Sequence, residues 1–211
     1  MHRAFVASLA LLAFSACSRG APDAPAGGLD SPATTPATLN RTAQRPDKPR
    51  LSAEGWGPIS IGMTSRQVMD KVGSNDALGE PDPTPSDPCL EYHPEDAPAG
   101  LLVMVQYDHV SRITLQAGSS IRTAAGIGVG DSLDAVREAL GDRAVVSPHK
   151  YDPAPAAYVD VWSQGAPEDL QPGGYVDTPS ARGVRYEIGP DGKVAAIHAG
   201  GPAIQYVEGC S

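Results

Sequence analysis

Basic residues are scarce in this chain. Lys and Arg number 16 against 25 Asp and Glu, for a formal net charge of −9 and a pI near 4.9. Proteins that hold nucleic acid draw affinity from clusters of Lys and Arg that displace counterions from phosphates, and no basic run occurs in the globular part. No nucleic-acid partner is therefore expected. An acidic surface that resists non-specific association accounts for the charge.

Motifs that carry chemistry are also missing. A serine hydrolase elbow requires G-x-S-x-G, and the nearest stretch, Ala117-Gly118-Ser119-Ser120-Ile121, lacks the second glycine. Zinc sites are built from close pairs such as H-x-x-x-H or C-x-x-C, whereas His93, His109, His149 and His198 are widely spread. Asp191-Gly192 has the start of a calcium loop without its alternating acids or terminal Glu. Asp152, Asp160, Glu168 and Asp169 offer carboxylates for glycoside chemistry, but such residues are common on any acidic surface. Gly126, Gly128 and Gly130 have the wrong spacing for a nucleotide loop, and no lysine follows them. Neither a cofactor nor a metal is expected.

What is present begins at the N-terminus. His2 and Arg3 precede an apolar stretch from Ala4 to Phe14, and Ser15 and Ala16 lead to Cys17. The apolar stretch is about half of the roughly 20 residues a spanning helix needs, so residues 1–16 read as an export signal. Its end resembles the lipobox of bacterial lipoproteins, with Phe14 where that family usually has leucine. The resemblance implies that Cys17 is lipidated and becomes the mature N-terminus. Ser18 stands where inner-membrane lipoproteins typically carry aspartate, which implies an outer-membrane anchor on the periplasmic face. The alternative is an ordinary signal cut after Ala16. Residues 17–50 are rich in Ala, Pro, Thr and Gly and cannot bury enough apolar surface to offset ordering entropy, so a disordered linker is expected there.

With Cys17 assigned to lipid, Cys89 and Cys210 remain. In an oxidising compartment an even pair of this kind forms a disulfide. Closing so long a loop is worth on the order of 4 to 5 kcal/mol in the chain-entropy model. The competing reading is a nucleophilic Cys89 assisted by His93.

The rest of the chain carries an internal repeat. Ile59 to Gly73 aligns without a gap on Ile127 to Gly141, with identities at Ile59/Ile127, Gly62/Gly130, Val68/Val136 and Gly73/Gly141. Thr64 and Ser132 are placed as helix N-caps, and Gln67 completes a capping box in the first copy. Met63 and Val68 are spaced as a hydrophobic staple, which Asp131 breaks in the second copy. Val68 with Val72, and Leu133 with Val136 and Leu140, make one apolar face at helical spacing. Gly73 and Gly141 are expected to end the helices in the left-handed conformation. Helices of about nine residues are not stable alone and need a support. Leu101 to Val105, a turn at Asp108-His109 and Arg112 to Leu115 supply one hairpin. Val184 to Ile188, a turn at Gly189 to Gly192 and Lys193 to His198 supply another, with Tyr158 to Trp162 as a further strand. The expected fold class is α+β: two tandem repeats, 51–120 and 121–211, each a short capped helix packed on antiparallel strands.

The segment Ile59 to Val68, of the form I-x-I-G-M-T-x-x-x-V, resembles the first helix of the small lipoproteins of the outer-membrane β-barrel assembly machinery. Two such units in one chain are similar to the tandem architecture of the secreted β-lactamase inhibitor protein. The second copy departs from the motif, with Gly130-Asp131-Ser132 in place of Gly-Met-Thr. Both families act by binding proteins, so the resemblance implies a non-enzymatic interaction module with an envelope protein as partner. No partner-contacting position of either family is matched.

From helix to hairpin the second copy is longer, 43 residues from Gly141 to Val184 against 28 from Gly73 to Leu101. Loops on a rigid scaffold concentrate function, which singles out His149 to Pro155 and Gly165 to Gly174. An idle insertion explains the extra length equally well. A tryptophan usually fills a core, though at a groove it stacks on a sugar or anchors a partner. Trp162, Tyr158, Tyr151 and Tyr175 are accordingly the candidate binding surface. A glycan or small-ligand binding module, or a hydrolase with its site between the repeats, are the alternative readings. The lipid assignment is checked by metabolic labelling with a fatty acid: label is expected on the wild-type chain and none on Cys17→Ser.

Overall fold

The computed structural model describes residues 48–73, 89–168 and 170–210. Cys17, the export signal and all of the linker before Lys48 lie outside the described residues, as does Asp169. The chain divides into a unit spanning Met1–Gln44 and one spanning Arg45–Ser211. Every strand and helix described belongs to the second unit.

In chain order these are β1 (Gly55–Trp56), β2 (Ile59–Ser60), α1 (Ser65–Val72), β3 (Cys89–Tyr92), β4 (Leu101–Gln106), β5 (His109–Leu115), α2 (Leu133–Leu140), β6 (Val145–Pro148), β7 (Ala157–Gln164), β8 (Arg182–Ile188) and β9 (Val194–Gly200). β1 and β2 form a two-stranded sheet, and the other seven form one sheet in the order β3-β4-β5-β9-β8-β7-β6. All its pairings are antiparallel. The class is α+β with a mostly antiparallel sheet.

Alternation sorts the side chains between two faces. One row runs Val161, Val184, Ala199, Ile113, Val103 and Tyr92 across six strands, and its neighbour runs Val159, Tyr186, Ile197, Leu115 and Leu101. These rows join the buried faces of both helices, Val68 with Val72 and Val136 with Leu140, in one hydrophobic core. Burying a side chain of this size stabilises by about 1.5 to 3 kcal/mol, which is what holds two eight-residue helices in place.

Both helix starts follow the spacing of their hydroxyl residues. Thr64 Oγ1 accepts from Gln67 N at 3.3 Å and Gln67 Oε1 accepts from Thr64 N at 2.9 Å, a complete capping box. Ser132 Oγ accepts from Ala135 N at 3.2 Å. Asp131, which interrupts the staple pattern, accepts from Gly128 N at 2.9 Å and pairs with Arg122 at 2.8 Å. The Arg122 hydrogen bond, with the Gly128 amide behind it, holds this carboxyl below its ordinary range.

The helix ends depart from expectation. Gly73 and Gly141 have positive φ of 74° and 56°, but ψ of 161° and −141° rather than the left-handed helical value. They turn the chain straight into extended backbone through a region that glycine alone tolerates. The first hairpin turn also sits one residue earlier than its composition suggests. Tyr107 and Asp108 are the residues with positive φ, 49° and 65°, as a two-residue turn with the right-handed twist of its strands requires. Strands β3 and β6 have no alternation long enough to announce them.

Each helix entry is stitched to a hairpin turn. Gly62 N donates to Val110 O and Val110 N to Met63 O, both at 2.8 Å; Gly130 N donates to Val194 O and Val194 N to Asp131 O, both at 2.8 Å. Ser65 N donates to Asp108 O at 3.3 Å, and Leu133 N to Gly192 O at 2.9 Å. Thr64→Ala and Ser132→Ala are each expected to cost about 1 kcal/mol. A shifted denaturation midpoint with an unchanged slope checks this.

Candidate binding surface

The outward face of the sheet is polar where a solvent-facing sheet would be, yet it is buried. Asp160, Arg185, His198 and Thr114 lie opposite one another across β7, β8, β9 and β5, and each is exposed by 8% or less. The next row on this face runs Trp162, Gly183, Gly200, Arg112, Met104 and Glu91. Burying such groups is costly unless each finds a partner, and the register supplies partners for most of them, Arg112 Nε being a buried donor without one among the described residues.

Arg185 Nε and Nη2 donate to the two oxygens of Asp160 at 2.7 and 2.8 Å, a buried bidentate pair. The Arg185 guanidinium also lies 4.5 Å from the Tyr158 ring centroid, and the His149 ring stacks on that ring at 4.7 Å. His149 Nδ1 accepts from Tyr151 N at 3.3 Å and from Asp152 N at 3.0 Å, so its proton sits on Nε2, 3.4 Å from Glu187 Oε1. His198 Nε2 is 3.3 Å from the other oxygen of Glu187, and its Nδ1 is 3.0 Å from Thr114 Oγ1. The neutral Nε2–H tautomer of His198, with the Thr114 hydroxyl donating to Nδ1, satisfies both contacts.

Over Arg112 this face is covered by the C-terminal segment. After β9 a single 3-10 turn, Pro202–Gln205, leads residues 206–210 back to β3, where Cys210 is bonded to Cys89 with Cα atoms 5.4 Å apart. This is the pairing expected, and it removes the nucleophilic reading of Cys89. His93 Nδ1 instead lies 2.8 Å from Leu101 O. Arg112, 3% exposed, clamps the crossing segment: Nη1 donates to Ala203 O at 3.2 Å and Tyr206 O at 2.9 Å, while Nη2 binds Glu91 at 3.2 Å. Burial pulls the Arg112 pKa below its usual value, and Glu91 opposes that pull. Gln205 Oε1 accepts from Val176 N at 2.9 Å and its Nε2 donates to Val176 O at 2.7 Å, which docks the segment around Tyr175 onto the strap.

The four aromatic candidates therefore occupy different settings. Tyr158 is only 5% exposed and holds His149 and Arg185 in position. Tyr151 and Tyr175 are each 59% exposed and bond to the strap, Tyr151 through its hydroxyl on Glu208 and Tyr175 through a bond to Tyr206. Trp162 is half-buried and lines a separate groove of about 380 Å³. Trp56, 9% exposed, belongs to the core and donates from Nε1 to Pro49 O at 3.2 Å. Of the possible glycosidic carboxylates, Asp160 is fully engaged by Arg185, and Asp152 meets His149 through its backbone amide, which donates to Nδ1 at 3.0 Å. Two of the scattered histidines, His149 and His198, do meet, but on a carboxylate. Among the described residues no group of three or more His, Cys, Asp and Glu is arranged to hold a metal. Sequence reading missed the Arg112 clamp and the joining role of Glu187. The one signal for them was polar residues at alternate positions of apolar strands.

Compared with known proteins, the chain matches no family model, no curated protein and no solved structure. No helix among the described residues is long and apolar enough to cross a membrane.

The network makes stability pH-dependent. Burial, reinforced by Arg112 and Arg185, holds the His198 pKa below its ordinary 6.5, and the hydrogen bond from His198 leads the causes that hold Glu187 below 4.5. As pH falls below 6.5 the unfolded chain takes up a proton that folded His198 does not, so stability drops. The Glu187 contribution is present above 4.5 and is lost as pH falls through its lower folded value. Denaturation midpoints measured from pH 8 to 4 are expected to decline with acid, with a smaller slope between 6.5 and 4.5 in His198→Gln.

Proposed function

We propose that this chain is a non-enzymatic lipoprotein, anchored through Cys17 in the outer membrane, whose folded unit faces the periplasm and binds an envelope protein. The observation that carries the reading is the disulfide-tied strap with the exposed Tyr151 and Tyr175 each bonded to it. The Cys89–Cys210 bond belongs in an oxidising compartment, which supports export. Exposed tyrosines offer large, stiff, amphipathic contact area, the kind enriched at protein interfaces. The non-enzymatic reading draws support from the pairing of the titratable groups on this face, Asp160 with Arg185, Glu91 with Arg112, and Glu187 with both His149 and His198.

The same proposal takes the two halves of the folded unit as copies of one ancestral unit. Its support is the paired stitching of helix entry to hairpin, in which Gly62, Met63 and Val110 make the bonds that Gly130, Asp131 and Val194 make. The strand order also reads outward from the β5/β9 contact as β4-β3 on one side and β8-β7 on the other.

Photo-crosslinking amino acids placed at Tyr151, Tyr175 and, as a control, the exposed helical position Glu138 test the interaction reading. A discrete crosslinked envelope protein is expected from the two tyrosine positions and none from Glu138. Equal labelling from all three, or none from the tyrosines, would overturn it.

A further inference from the structure

Trp162 has an environment unlike that of any other aromatic residue among the described residues. It lies on the outward face of β7 directly opposite Gly183 of β8. A Cβ at Gly183 would come within 2.7 Å of Trp162 Cε3 and 2.9 Å of Cδ2, so the indole rests against bare backbone, a place only glycine permits. One side of the ring is thereby committed and braced. The side chain is half-buried and borders the groove of about 380 Å³ between the β6 edge and Ala166, Pro167, Glu168 and Leu170. Val145, Pro167 and Leu170 continue the apolar wall.

The rest of the lining is polar and held in place. Gln164 Nε2 donates to Ser180 O at 3.2 Å, which orients the amide with Oε1 as acceptor. Arg143 Nε donates to Leu140 O at 3.3 Å, which fixes the guanidinium plane. Asp142 and Glu168 complete the rim. Two carboxylates against one guanidinium disfavour an anionic ligand. A braced aromatic ring with a mixed rim of planar donors and acceptors fits a neutral ligand that has one face of polarised C–H bonds and hydroxyls around its edge. The C–H face meets the negative face of the indole, and the hydroxyls meet amide, carboxylate and guanidinium.

From this geometry we infer that the Trp162 groove is a saccharide subsite for a neutral β-linked pyranoside. It is separate from the Tyr151 and Tyr175 surface and does not depend on the protein-binding reading. The chain has two tryptophans, and Trp56 lies in the core, so the indole N–H signals report on the groove directly. The purified full-length chain is titrated with the β-1,4-linked trimer of N-acetylglucosamine and with cellotriose, and the two indole signals are assigned with Trp56→Phe. The Trp162 signal is expected to shift saturably with at least one of the two sugars, with Kd on the order of 1 mM or tighter, while the Trp56 signal stays in place. Gly183→Ala, which displaces the ring, is expected to weaken binding by about tenfold or more. Should Gly183→Ala fail to fold, Glu168→Ala at the rim is expected to weaken binding several-fold, or about 1 kcal/mol. No shift of the Trp162 signal by either sugar, a shift confined to Trp56, or a response to adenosine with none to saccharide would each overturn the proposal.

Discussion

The folded unit depends on one constraint: a ten-residue C-terminal strap lies across the polar face of a seven-stranded sheet. Without it, Arg112 would be an ordinary solvent-facing residue of an antiparallel sheet, as Asp160, Arg185 and His198 would be without the side chains of Tyr158, His149, Glu187 and Thr114 around them. Covered in this way they are desolvated, and each group must be paired by a neighbour in the register. The strap is held at both ends. Arg112 grips the carbonyls of Ala203 and Tyr206 near its start, and the Cys89–Cys210 bond ties its end to the far edge strand. The sheet is thus closed on both faces, by helices on one and by the chain terminus on the other.

That closure separates what can serve as a surface from what cannot. The His149, Glu187 and His198 cluster has the residue types of an acid–base site, but its hydrogen bonds run inward to backbone amides, Thr114 and one shared carboxylate. It is the arrangement of a latch. Residues left outside the latch are the tyrosines that border the strap and the tryptophan at the β6 edge. Three of the four aromatic candidates thus stay accessible in two different settings, Tyr151 and Tyr175 beside the strap and Trp162 in a groove of its own.

Sequence reading did best where the causes are local. The caps at Thr64 and Ser132 follow from hydroxyls three residues ahead of an amide donor, and β4, β5, β8 and β9 follow from alternation and turn residues. It did worst at two kinds of place. The turn at Tyr107-Asp108 was misplaced by one residue because strand pairing, not the turn preference of His109, sets the register. β3 and β6 are short edge strands whose extended form comes from pairing with β4 and β7, so their own residues carry little signal.

The same division holds for the site. Local chemistry along the chain decided the capped helices, the hairpins, the α+β class and, through a cysteine count of two beyond Cys17, the disulfide. Each of these rests on residues a few positions apart or on a pairing with no competitor. The burial of the polar face was decided by contacts between residues such as Arg112 and Tyr206, or His149 and Glu187, that lie tens of positions apart. Whether Arg185 meets Asp160 depends on the β7/β8 register, and whether Tyr158 is a contact surface or a spacer depends on the path that brings His149 over its ring, neither of which a local pattern encodes. Desolvation is a property of everything that surrounds a group, and only the assembled sheet with its strap supplies those surroundings.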